Sequence, residues 1–148
     1  MAKTVRHYAI KAPVADTGAA RFVFADCKTM YGGKHIARGD TVYVFASENS
    51  GGRGLIARGV VAEARALARD PALGQRQTPR VSIVVLRQAA AARPMGRTQL
   101  KPFADWNDGR PQTELNFKFY RQATDKVVGI SAEAARFLEG CVAPAGTR

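Results

Sequence analysis

Few residues in this chain are of types that do covalent chemistry, and their spacing assembles no catalytic set. The histidines His7 and His35 and the cysteines Cys27 and Cys141 allow the pairs His35–Asp40 and His7–Cys27 on paper. No motif brings either pair together as base and nucleophile. There is no C-x-x-C and no Cys/His cluster, so neither a metal site nor a disulfide framework is expected, and both cysteines read as buried small apolar side chains. No G-x-G-x-x-G follows a strand and no G-x-x-x-x-G-K-[ST] occurs, so no cofactor is expected either. What the residues do offer is the chemistry of noncovalent recognition, aromatic rings that stack and cations that pair with phosphate. Tyr31 precedes Gly32-Gly33-Lys34-His35, an aromatic face beside a permissive backbone and two donors. Trp106 stands next to the turn Asn107-Asp108-Gly109, and Arg53 sits in Gly51-Gly52-Arg53-Gly54.

Charge supports that chemistry. The formal net charge is +11, and from Arg53 to Lys101 ten Lys/Arg face only Glu63 and Asp70, a net +8. Sixteen of the 23 basic residues are arginine, whose planar fork suits phosphates and bases. A field of this sign attracts polyanions, nucleic acid above all. Hydrophobic residues make up 46% and charged residues 24% of the chain, the balance of a globular domain. Apolar runs such as Ile83–Leu86 are too short to span a bilayer, so no membrane partner is expected. Met1–His7 contains no apolar h-region, and cytoplasm is the expected location. The length of 148 residues predicts one domain, 1–148, with 142–148 a frayed tail.

The elements that must position these residues follow from periodicity and punctuation. Val5–Lys11 predicts a first strand, ended by Pro13. From Thr17 to Met30 two readings stand, a helix capped by Asp16 or Thr17 and an extended Arg21-Phe22-Val23-Phe24, with the helix preferred over at least part of the segment. Thr41–Ala46 and Leu55–Ala64 predict an antiparallel hairpin, with Gly59 at a bulge or close approach. Ala64–Thr78 reads as a loop with a short helical piece. Arg80–Gln88 predicts a strand covered on both faces. Gly96–Trp106 reads as a helix broken by Pro102. Glu114–Arg121 alternates as a half-buried strand, which puts Asn116, Lys118 and Tyr120 on one face, a polar, basic and aromatic row suited to nucleic acid. Ser131 caps a helix Ala132–Glu139 that Gly140 ends. Several non-local strands with peripheral helices predict an α+β fold, a curled sheet or small barrel.

Two segments carry a family likeness. Gly39-Asp40-Thr41-Val42-Tyr43-Val44-Phe45-Ala46-Ser47, a glycine-rich turn, and Leu55-Ile56-Ala57-Arg58-Gly59-Val60-Val61 resemble the core hairpin of the PUA-like superfamily. They are most similar to its EVE, YTH and ASCH branches, where a GD-x-V strand precedes a G-x-G-x-V strand. Arg58, between Ala57 and Gly59, leaves the second glycine pattern partly met. Val127-Val128-Gly129-Ile130-Ser131 leading into Ala132–Gly140 is similar to the closing segment of the same group. The resemblance implies a small, partly open β-barrel with a pocket beside the core hairpin. In EVE- and YTH-like members that pocket holds a base flipped out of its strand. ASCH-like relatives bind RNA, and a few are small hydrolases.

With one tryptophan in the chain, a cage of several tryptophans cannot form. The resemblance therefore implies a pocket built from Trp106, Tyr31, Phe45 or Tyr120, with Ser47, Glu48 and Asn49 at the strand end as ligand contacts. The expected function is binding of RNA or DNA, or of a nucleobase-like small molecule, with no catalytic residues assigned. A first alternative is an ASCH-like hydrolase acting on a nucleoside or amide metabolite, using Lys34, Glu48 and Tyr43 or Tyr120. A second is an accessory basic protein without a pocket. Oligomeric state is left open.

Overall fold

A computed structural model of the protein describes residues 6–48, 52–67, 80–118 and 126–142. Among them are β1 (His7–Ala12), β2 (Arg21–Met30), β3 (Thr41–Ala46), β4 (Gly54–Ala66), β5 (Arg80–Ala90) and β6 (Lys126–Gly129). The strands close into a barrel in the order β1-β3-β4-β5-β2-β6. Neighbours are antiparallel except β1 with β3 and β2 with β6, which run parallel. The helices α1 (Arg97–Leu100), α2 (Pro111–Asn116) and α3 (Ala132–Glu139) pack outside. The expected small α+β barrel is present, and its strands close completely. None of its described helices is long and apolar enough to cross a membrane.

Side chains divide the strands between two cores, because successive residues of a strand point to opposite faces. Tyr8, Ile10, Phe22, Phe24, Val42, Val44, Val61, Ile83, Val85 and Val127 fill the barrel. The alternate residues Ala9, Tyr43, Phe45 and Val128 meet Leu100, Leu115, Ala134, Ala135 and Leu138 beneath the helices. Thr41–Ala46 is apolar at nearly every position for this reason: β3 is buried on both faces. The hairpin expected from Thr41–Ala46 and the following strand forms, antiparallel, with its register shifting between Val44 and Phe45, while β4 shifts against β5 between Arg58 and Gly59. A Cβ on Gly59 would lie 2.4 Å from Val85 Cγ1 and 2.6 Å from the Leu86 carbonyl oxygen, so the strands approach there as only glycine permits.

Several expectations are corrected. The preferred helix within Thr17–Met30 is strand β2; Phe22 and Phe24 face inward while Arg21 and Val23 face solvent, so the period of two wins over the cap signal. β5 is covered on one face only: Val81, Ile83 and Val85 are buried, whereas Leu86 is 42% exposed. Arg65 and Ala66, assigned to a loop, extend β4, and residues 68–79 lie outside the described residues. The helix expected over Gly96–Trp106 is confined to Arg97–Leu100. The strand expected from Glu114 is helix α2, because Pro111 occupies its first turn and Glu114 follows in the same turn, where proline and acids favour a helix. Ser131 caps α3 as expected, accepting from the Ala134 N–H. Val142, placed in the frayed tail, is buried and bridges to Ala91, while residues 143–148 lie outside the described residues. Both cysteines are buried.

Gly59→Ala is expected to lower stability by about 1–3 kcal/mol, the cost of forcing a methyl into a packed contact. Gly18→Ala, where the added carbon meets only Asp16 Oδ1 at 3.6 Å, is the control. Urea unfolding of the two variants should give a lowered midpoint for the first and an unchanged or raised one for the second.

Candidate functional site

The two pairings of β6, antiparallel with β1 and parallel with β2, decide which residues meet at one rim of the barrel. Tyr8 opposes Gly129 across β1 and β6, and Met30 opposes Val128 across β2 and β6. Arg6, His7 and Tyr8 at the start of β1, Tyr31 and Gly32 after β2, and Gly129 and Ile130 at the end of β6 therefore share that rim. They line a cavity of about 590 Å³ together with His35, Glu114, Lys118 and Ser131, a size ordinary for a ligand site. The strands are packed so closely that a Cβ on Gly129 would fall 2.2 Å from the Tyr31 carbonyl oxygen.

Tyr31 enters this cavity on a backbone that bulky residues avoid, with φ 53, followed by Gly32 at φ 82. Such a conformation costs on the order of 1–3 kcal/mol and persists only where its surroundings impose it. The residue is 39% exposed, and Lys118 Nζ stands 4.8 Å from the ring centroid, within cation–π range. Partial burial pushes the Tyr31 phenol above its usual value, so it stays neutral and able to donate.

Glu114 organises the floor of the cavity. Its Oε2 accepts from the Ser131 N–H (2.8 Å) and from Lys118 Nζ (3.0 Å), and its Oε1 accepts from the Ser131 hydroxyl. Lys118 also donates to the Gly129 carbonyl at 2.7 Å. Burial alone would raise the Glu114 carboxyl. The Ser131 hydroxyl, the Ser131 N–H and Lys118 outweigh it and hold the carboxyl below the usual glutamate value, so an ionised acceptor faces the cavity.

Two further cavities adjoin this one. Glu114 also lines a cavity of about 240 Å³ with Trp106, Gly109, Arg110, Thr113 and Phe117. His7 also lines a cavity of about 390 Å³ under α3, where Tyr43 Oη donates to Glu139 Oε1 (2.9 Å) and Arg58 pairs with Glu139 Oε2. Burial, then the hydrogen bond and negative charge of Glu139, push the Tyr43 phenol far up. That phenol is a fixed donor within a structural tie.

The residues singled out in the sequence are thus dispersed. Tyr31, His35 and Lys118 meet in the first cavity. Trp106 lines the second, not the first. Lys34 is exposed in the short turn Gly33–His35 and Asn107 is exposed after Trp106, its N–H donating to Asp105 Oδ1; neither lines any of these three cavities. Ser47 and Phe45 are buried, and Glu48 accepts from the Arg97 N–H (3.0 Å) at the start of α1. The register pairs Ala12 with Ala46, which puts Ser47 beyond the strand end opposite to His7, roughly 20 Å along β3 at about 3.3 Å per residue. Arg53 lies in the same distant turn. Asn116 donates to the Phe103 carbonyl at 3.0 Å and is buried, so the expected row with Lys118 does not exist. Asn49 and Tyr120 lie outside the described residues. The hydrolase trio is not gathered: Lys34 is exposed, Glu48 holds α1 and Tyr43 holds Glu139. Among the described residues no cluster of His, Cys, Asp and Glu suits a metal ion.

Sequence reasoning missed Glu114, Arg6 and Tyr8 as site residues and saw Ser131 only as a cap. The available signal was Pro111 followed by Glu114 and Lys118 at i and i+4, a helical start with a charge pair.

No protein-family model matches the chain, and no curated protein matches it in sequence. Solved structures do. Human THYN1 in complex with DNA containing 5-methylcytosine superposes with a TM-score of 0.60 at 13% identity, covering 91% of this chain and 96% of that one. A hypothetical protein from Leishmania major gives 0.58 at 16% identity, covering 93% and 94%. A tyrosine-to-phenylalanine mutant of ZmASCH from Zymomonas mobilis gives 0.52 at 10% identity, covering 93% and 99%. The chain has the PUA-like fold of EVE/DUF55 and ASCH domains.

The Glu114 tie has a measurable pH signature. Its carboxyl is depressed in the folded state relative to the ordinary value of 4.5, so its contribution is complete above that value and vanishes as pH falls through the lower folded value. Glu114→Gln is expected to cost about 2 kcal/mol at neutral pH, the range for hydrogen bonds to a charged group. The difference from the wild type should shrink steadily in denaturation midpoints taken below pH ~4.5. A difference constant down to the acid limit would show that the charge on Glu114 is not what holds the floor together.

Proposed function

We propose that the protein binds nucleic acid, with one base of the strand seated in the 590 Å³ cavity at the barrel rim. The observation that carries this reading is Tyr31: an exposed aromatic ring, on a strained backbone, backed by the Lys118 ammonium at the mouth of a cavity with an ionised floor. A nucleobase is the ligand that uses all of it. Its ring stacks on tyrosine, and stacking alone is sequence-tolerant. Its N–H groups find an acceptor in Glu114, because a carboxylate offers about four acceptor positions and the bonds from Ser131 and Lys118 occupy three. A base bearing an exocyclic amine fits this floor, as glutamate accepts from such amines in groove readout. The rim cation Arg6 and the imidazoles of His7 and His35 suit the adjoining sugar–phosphate.

The net charge of +11 favours approach of a polyanion, and the shared fold with human THYN1, whose structure holds methylcytosine-containing DNA, supports the same reading.

Fluorescence anisotropy with single- and double-stranded RNA and DNA, plain and base-methylated, at two salt concentrations tests the proposal. Affinity should fall with salt, since neutralising phosphates releases counterions. Tyr31→Ala should weaken the preferred ligand about five- to 150-fold, the equivalent of one stacked base. Salt-sensitive binding that ignores ligand type and is unchanged by Tyr31→Ala would leave a basic surface without a pocket. Turnover of a nucleoside or amide substrate that depends on Glu114 or Ser131 would instead make the cavity an active site.

A further inference from the structure

We infer that the cavity of Trp106 is a second stacking site, which takes the base next to the one held in the Tyr31 cavity. This rests on the base-binding reading above, and it assigns a role to the chain's one tryptophan outside the first cavity. Trp106 is 43% exposed. It leans edge-on against Phe117, centroids 5.4 Å apart at 62°, leaving a large apolar surface in water at the wall of a 240 Å³ cavity. A core residue of this size would be buried, and exposed aromatic surface in a concave site is where binding energy concentrates.

The tryptophan is held rather than loose. The Asn107 N–H donates to Asp105 Oδ1 (3.2 Å) and the Asp108 N–H to the Asp105 carbonyl (3.0 Å), closing the turn around it. Asp108 then ties the turn to α2, accepting from the Arg110 N–H (2.9 Å) and the Thr113 hydroxyl (3.0 Å). A ring fixed in this way loses little entropy when a ligand stacks on it.

The occupant follows from what adjoins the cavity. Glu114 lines both cavities, so the Tyr31 site and the Trp106 site share a wall residue of α2. A ligand that presents two planar rings joined by a short flexible tether can reach both, and adjacent nucleotides of an unstacked single strand are such a ligand. Arg110, also in this lining, has an exposed side chain and a long 4.0 Å contact with Asp108. It supplies the positive charge that the connecting phosphate requires.

Because the chain has one tryptophan, its intrinsic fluorescence reports this cavity directly. Calorimetry and tryptophan emission should be followed while the full chain is titrated with a mononucleoside and, separately, with a single-stranded dinucleotide. The expected result is that the mononucleoside binds without changing the emission, whereas the dinucleotide binds more tightly and quenches it. By calorimetry, Trp106→Ala should weaken the dinucleotide about five- to 150-fold and leave the mononucleoside unchanged, with Trp106→Phe keeping part of the gain. A dinucleotide that binds through Tyr31 but leaves the emission and the Trp106→Ala affinity unchanged overturns the second site and spares the first. A mononucleoside that itself quenches Trp106 also overturns it, since one base would then prefer this cavity. Binding of either ligand indifferent to Tyr31→Ala overturns the first reading, and with it the two-base arrangement.

Discussion

The Glu114 carboxylate is the contact on which the rim depends. Helix α2 is six residues long, far below the length at which a helix is stable alone, so its position must come from tertiary bonds. Glu114 supplies them by accepting from both the N–H and the hydroxyl of Ser131, the residue that caps α3. The same carboxylate fixes Lys118, which reaches the Gly129 carbonyl and the Tyr31 ring. One side chain thus joins α2, the start of α3, the end of β6 and the turn after β2. Without it, the floor of the first cavity and the wall of the second would both lose their anchor.

Charge has to be read against this architecture. The basic stretch from Arg53 to Lys101 looks in the sequence like a single polyanion surface, but three of its arginines are engaged within the fold. Arg58 pairs with Glu139, and Arg80 stands 3.6 Å from Asp26 Oδ1. Arg87 donates to the carbonyls of Ala19 and Thr17 and stacks 5.5 Å from the centre of the Phe22 ring. These guanidiniums lock β4 and β5 to neighbouring elements. The long-range field remains, because the net charge of +11 already counts the paired acids Glu139 and Asp26, and a field of this kind governs approach more than affinity. Under the binding proposed here, local recognition falls to fewer groups, those at the barrel rim.

How legible all this was in the sequence depends on whether a signal was local. The β3–β4 hairpin and helix α3 were readable because their patterns are self-contained: an apolar run, a glycine at the bulge, a serine cap three residues ahead of the N–H it accepts from. Strand β2 was not. Its inward set changes phase at the irregularity between Phe24 and Cys27, which breaks the alternation that would have identified it. The segment from Glu114 failed for the opposite reason, since Leu115 and Phe117 mimic a period of two while Pro111 and the Glu114–Lys118 spacing set a helix. Tyr31 and Lys118 were recognisable as chemistry-bearing residues from type alone. Their meeting was not, because it depends on the parallel pairing of β2 with β6.

The same topology explains why the contacts expected from the family likeness, Ser47 and Glu48, lie at the other end of the hairpin from the rim cavity. The GD-x-V strand starts beside the cavity and ends at Ala46, so its first residues, not those following it, lie at the rim. Thr41 opposes His7 across β1 and β3, and Asp40 just before it is buried, accepting from the Ala37 N–H at 2.9 Å and reaching the Arg6 N–H at 3.4 Å. That acid therefore holds the backbone of the rim residue Arg6. At the far end, Glu48 caps the four-residue α1 through the Arg97 N–H, a structural duty that accounts for a conspicuous carboxylate without any ligand. Sequence order makes Ser47 and Glu48 look adjacent to the glycine-rich turn and so to a binding loop. Strand pairing instead divides the hairpin between the end at the rim cavity, where β3 starts opposite His7, and the far end, where Glu48 meets α1, and this division, more than the identity of any one residue, decides which polar groups border the rim cavity.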